Sequence, residues 1–133
     1  MPPEPEFGII PLDLLRGHEE HEPEKVDELI AELLRDGELV NPIWVARDTW
    51  VILNGHHRVE AFRRLGMKRI PAWIFDYNGE HVDLDRWSPG PPIAKAEVIH
   101  RAHHGPRFPP KTTRHRLRVE LPPRPVPLSE LVS

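Results

Sequence analysis

Along this chain the apolar positions switch between a period of two and a period near 3.6, which predicts short strands interleaved with amphipathic helices. Phe7 to Leu15 reads as a first strand, with Pro11 restricting it to an edge or a bend. After Pro23, a favoured first-turn residue, Val26, Leu29, Ile30, Leu33 and Leu34 follow the i, i+3, i+4, i+7, i+8 pattern of a helix. Gly37 is placed to stop it. Residues 42–46 and 50–53 form two apolar runs joined by a turn at Arg47-Asp48-Thr49, and predict two strands. Beyond Gly55 the spacing is helical again, with Val59, Phe62 and Leu65 on one face and Gly66 as the stop. Ile70 to Tyr77 and Val82 to Trp87 predict strands, 93–103 a helix, and His115 to Leu121 a last strand. Arg107 to Thr113 reads as a loop. The mixture lacks a regular strand–helix–strand alternation. It predicts a compact α/β fold of the mixed α+β kind, a small mixed sheet flanked by helices.

Length and proline content set the boundaries. With 133 residues a single domain over 1–133 is expected, since two would each have little core. The 17 prolines gather at both ends and around 89–92 and 106–110, so 1–6 and 122–133 are expected as loosely ordered tails. No apolar run is long enough to span a membrane, and the opening Met-Pro-Pro-Glu does not read as a signal peptide, so a cytoplasmic location is expected. Absence of cysteine excludes disulfides and thiol chemistry.

Charge changes the picture further. The net charge of −3 hides twelve acids against three Lys or Arg in residues 1–40, and seven Lys or Arg against two acids in 101–133. Such a chain favours a local anion site over a DNA-coating surface.

The strongest candidate for that site is Asn54-Gly55-His56-His57-Arg58, where a strand turns through glycine into a helix start. Free amides and the helix dipole attract an anion there, and Arg58 could add a bidentate contact. The alternative is a plain junction with solvated polar side chains. Three other segments stand out. His18-Glu19-Glu20-His21-Glu22 could supply a general base or metal ligands, or be a solvated acidic loop. Lys111-Thr112-Thr113-Arg114-His115 could surround phosphate or carboxylate oxygens, or be an exposed basic turn. Trp87 beside Pro89 could close a small pocket, though core packing is the commoner use of an indole. His100, His103 and His104 read as surface residues of a helix end. Neither a Walker-type phosphate loop nor a dinucleotide fingerprint is present.

Taken together, the His-Glu pair, Asn-Pro-Ile at 41–43, Asn54–Arg58 and Ile70-Pro71 resemble the ParB/sulfiredoxin superfamily. More narrowly, Asn54–Arg58, Trp87-x-Pro89 and the run from Pro110 to His115 resemble its free L-serine kinase branch, without a middle insertion those kinases carry. The resemblance implies a kinase transferring a phosphoryl group from ATP or ADP, with magnesium, to free L-serine. It implies that Gly55, His56, His57 and Arg58 hold phosphates, closed from the other side by Lys111, Thr112 and Arg114. Glu19 matches the family's catalytic glutamate, and Trp87, Thr113 and His115 would line the amino-acid site. The kinases have Asp where this chain has Asn54, which cannot act as a base. A sulfiredoxin needs a cysteine, so that chemistry is excluded. The 29 residues after His104 are too proline-rich for a helix-turn-helix, so DNA is not an expected partner. A nucleotide- or DNA-binding module without kinase activity, and a kinase for threonine, remain the alternatives.

Overall fold

The computed structural model describes residues 5–133. Four strands form the central sheet: β1 (Glu6–Pro11), β3 (Ile43–Ala46), β4 (Ile52–Asn54) and β5 (Arg69–Phe75), in the order β1-β5-β3-β4. The pairs β1–β5 and β3–β4 are antiparallel and β3–β5 is parallel, so the sheet is mixed, as the sequence pattern predicts. Around it lie α1 (Pro23–Asp36), α2 (His56–Arg64) and α3 (Lys95–His104). Two ribbons complete the fold: β2 (Glu38–Leu39) with β8 (Val126–Pro127), and β6 (Val82–Arg86) with β7 (Thr113–Leu117).

Strand β5 shows why the sheet is central. Its alternate residues Ile70, Ala72 and Ile74 join the core that also holds Val26 and Leu33 of α1 and Val59 and Phe62 of α2. Trp73 and Phe75 face the other way, into a second core with Val82, Val98 and Phe108. A strand buried on both faces reads as a continuous bulky run, as this one does.

Several boundaries differ from expectation. The first strand stops at Pro11 and is followed by a 3₁₀ turn, Leu12–Leu14, with the Leu12 amide still donating to the Lys68 carbonyl at 3.0 Å. The last strand begins at Thr113 rather than His115, as the register pairs Thr113 with Arg86. Residues 122–133, expected as a loose tail, instead supply β8 and bury Leu128 and Leu131. The carbonyl of Leu131 accepts the amides of Lys68 and Arg69, at 2.9 and 3.2 Å. Two apolar anchors and a paired edge hold this segment despite its prolines. Of the expected N-terminal tail, residues 1–4 lie outside the described residues, while Glu6 already pairs with Ile74.

Candidate functional site

Three segments converge on one side of the fold: the loop 18–22, the N-terminus of α2, and the start of β7. The turn into α2 needs glycine. Gly55 has φ 122°, and a Cβ there would lie 2.4 Å from Cγ2 of Ile43. The chain can therefore run flush against β3 and enter α2 without a side chain in the way. No side chain caps this helix, so its first-turn amides keep the unpaired donors that suit an anion.

Loop 18–22 crosses in front of that helix end. On one side it is tied to residue 108: Phe108 N–H donates to the His18 carbonyl and Glu20 N–H to the Phe108 carbonyl, both at 2.8 Å. On the other side it meets α2. The His18 amide donates to His56 Nε2 at 3.2 Å, and the Glu22 amide to His57 Nε2 at 2.9 Å. Both rings thus act as acceptors, which only the unprotonated nitrogen of a neutral imidazole can do. Burial holds both histidines below their ordinary pKa; His18 beside His56, and Lys25 near His57, push the same way.

Between those two ties stands Glu19. Its Oε1 accepts from the Thr113 amide at 2.8 Å, the Thr112 amide at 3.2 Å and the Thr113 hydroxyl at 2.9 Å. Since that hydroxyl donates to Glu19, it accepts from His18 Nε2, 2.9 Å away. His18 is fully buried, and desolvation lowers its pKa to about 3, so it is neutral with its proton on Nε2. His115 is also buried and lowered to about 4, chiefly by burial. Tyr77, the chain's single tyrosine, keeps its proton because burial pushes its pKa up, and its hydroxyl is hydrogen-bonded with His115 Nε2 at 2.7 Å.

A cleft of about 670 Å³ opens where these segments meet. Among the residues expected at the site, Glu19, Gly55, His56, His57, Trp87, Lys111, Thr113, Arg114 and His115 all line it. Trp87 is 61% exposed and belongs to no core, and the guanidinium carbon of Arg114 lies 4.7 Å from its ring centre. The Trp87 backbone is held by its amide, which donates to the Thr112 carbonyl at 3.1 Å.

Several residues expected at the phosphates already hold protein partners. Arg58 donates from Nη1 to the carbonyls of Asn41 and Pro42, at 2.6 and 3.1 Å, and from Nη2 to Asn54 Oδ1 at 3.3 Å. Desolvation lowers its pKa to about 10, so it stays charged while bracing the residues before β3. Thr112 turns its hydroxyl to the Pro109 carbonyl, and Arg114 forks onto both oxygens of Asp85 at 2.7 Å. The rings of His56 and His57 serve the 18–22 loop. What remains toward the cleft is the α2 backbone, Lys111 and a cation the sequence reading overlooked, Lys25. Glu22 stands between those two ammonium groups, at 3.5 Å from Lys25 and 3.9 Å from Lys111. A lysine in the first turn of a helix, where acids are favoured, was the signal that could have found Lys25.

The ParB N-terminal domain family matches residues 10–83, which carry the loop, the glycine turn, three whole strands of the central sheet and the end of β1. The chain belongs to this family. It is 36% identical over 85 residues to an ATP-dependent L-serine kinase of Staphylothermus marinus, covering 61% of this chain and 34% of that protein. It is 29% identical over 100 residues to the ADP-dependent L-serine kinase SerK of Thermococcus kodakarensis, covering 72% of this chain and 41% of that one. The matches thus span between a third and two-fifths of these relatives' length. A solved free serine kinase in complex with AMP superposes with a TM-score of 0.86 at 18% identity, over 98% of this chain and 95% of that chain. The fold is therefore that of a free serine kinase.

Proposed function

We propose that the protein is a nucleotide-dependent kinase that phosphorylates the hydroxyl of free L-serine. One observation carries this reading: Glu19 and the open N-terminus of α2 face the same cleft, flanked by Lys25, Lys111 and Trp87. Transfer of a phosphoryl group needs mainly positioning and charge neutralisation. The α2 amides, Lys25 and Lys111 would hold the phosphates. Trp87, Thr113 and His115 would form the wall against which the amino acid lies. The serine hydroxyl oxygen attacks the terminal phosphorus, and its proton passes to Glu19. The bond from phosphorus to the bridging oxygen breaks, and the nucleotide leaves one phosphate shorter. With Oε1 held by three donors, Oε2 is the oxygen left to take the proton.

Relatives named for ATP and for ADP both support a nucleotide donor and leave ATP or ADP to the assay. Magnesium would come with the nucleotide. Among the described residues no group of three or more His, Asp or Glu is arranged to hold a metal, so phosphate oxygens and water would provide most of its ligands. A cytoplasmic location accompanies this reading, and among the described residues no helix is long and apolar enough to cross a membrane.

The test is purified protein with magnesium, L-serine and either ADP or ATP, with O-phosphoserine sought by mass spectrometry and threonine as the acceptor control. Phosphoserine supports the kinase, and absence of any phosphorylated product refutes it. A second reading, a ParB-like binding module without turnover, is favoured by Asn54, whose carbonyl is engaged by Arg58. Nucleotide binding without product, with activity appearing in Asn54→Asp, would identify that state. A shift of duplex DNA that weakens steeply with salt would instead point to DNA binding.

A further inference from the structure

The two histidines of the glycine turn have side chains aimed not at the cleft's anion end but at the loop that carries Glu19. Their acceptor nitrogens take the amides of His18 and Glu22, the residues that bracket the Glu19–His21 segment. The polar run 18–22 has little apolar anchorage of its own: His18 is its one fully buried side chain. The side chains of His18 and Glu19 tie it to Thr112 and Thr113, the bridge to Phe108 pairs its backbone, and the two histidine bonds fix its amides against α2. We propose that His56 and His57 are positioning residues: a two-point latch that holds the Glu19 loop over the α2 N-terminus through neutral Nε2 acceptors. This rests on the kinase reading for its catalytic consequence, but the latch itself is a property of the fold.

Chemistry makes the latch specific. An imidazolium carries a proton on both nitrogens and cannot accept, so protonating His57 breaks the bond to the Glu22 amide. Around His57 stand Glu22 and His21 of the loop, Lys25 of α1 and Lys111 before β7. Around His56 stand His18, His115, Arg107 and His57. Cations outnumber carboxylates near both rings, which favours the accepting, neutral form. Glutamine places a carbonyl oxygen where it can accept the same amide, whereas alanine cannot.

The experiment compares wild type, His57→Ala and His57→Gln in two readouts. In serine phosphorylation, His57→Ala is expected to lose roughly 10–100-fold in kcat, the scale of a displaced catalytic group. Its KM for nucleotide should change little, and His57→Gln should recover most of the loss. The wild-type rate should fall on the acid side of pH 6.5, and the His57→Gln rate should fall less. The second readout needs no activity: amide hydrogen exchange at Glu22. Protection should drop in His57→Ala, return in His57→Gln, and drop in wild type on acidification, and the last of these requires no variant to fold. If the wild type makes no phosphoserine, the kinase reading fails while the exchange data still decide the latch. Unchanged Glu22 protection in His57→Ala, or a loss expressed in nucleotide KM with kcat intact, overturns the latch.

Discussion

The Gly55–Arg58 turn and the Lys111–His115 segment carry most of the site's basic residues, and they use their donors in opposite ways. In the glycine turn the side chains are engaged with protein: His56 and His57 accept from the loop, and Arg58 braces Asn41 and Pro42. The backbone amides of that turn stay open. In the second segment the backbone is engaged, since the amides of Thr112 and Thr113 both donate to Glu19. There the exposed Lys111 side chain reaches the cleft, with a loose ion pair to Glu22 at 3.9 Å. Residue type alone therefore does not identify an anion ligand. The free donor does, and it is found by asking what each polar group already satisfies.

The largest effect expected concerns the carboxylate that joins the two regions. Glu19→Gln keeps an oxygen for the Thr112 and Thr113 amides and removes the proposed base, so turnover should fall by about 10²–10⁴-fold with nucleotide binding nearly unchanged. Steady-state kinetics beside calorimetry checks this. A silent Glu19→Gln with a damaging Glu20→Gln would move the base to the neighbouring residue.

Next is the pH dependence of stability. His18 and His115 titrate near 3 and 4 in the folded protein, against an ordinary value near 6.5. Below pH 6.5 the unfolded chain binds protons that the folded one refuses, so stability is complete above that pH and declines as pH falls toward 4. For each histidine the slope approaches about 1.4 kcal/mol per pH unit. Urea titrations between pH 7 and 4.5 measure it, and a stability independent of pH would show that these rings are not held neutral.

Arg58→Ala separates the two regions directly. If the guanidinium braces the residues before β3, its removal should lower stability by about 1.5–3 kcal/mol, the scale of a hydrogen bond to a charged group. Nucleotide affinity, measured above the folding threshold, should change less than stability. The reverse pattern would return Arg58 to the phosphate.

The smallest effect is expected from Lys111→Ala. An exposed ammonium contributes little to stability, but its loss should weaken nucleotide binding by roughly tenfold, about 1.4 kcal/mol. Raising the salt should shrink that difference. Equal affinity in both proteins would leave Lys25 as the cleft's phosphate cation.

The amino-acid sequence by itself determined the elements whose cause is local. The apolar spacing of α1 and its Gly37 stop, the helical spacing after Gly55, and the bulky run of β5 each follow from neighbours within a few residues. The family resemblance also lies in such short runs, which is why Glu19, Gly55 and Trp87, all lining the cleft, could be singled out before any fold was known. Tertiary structure alone decided which donors are free. His57 meets the Glu22 amide across 35 residues, Glu19 meets Thr113 across 94, and Leu131 fills a core begun at Ile10. Pairings at such separations leave no periodicity in the chain, because each partner needs only one atom in the right place. Whether a histidine, an arginine or a proline-rich end serves a ligand or the protein is settled by what folding brings against it.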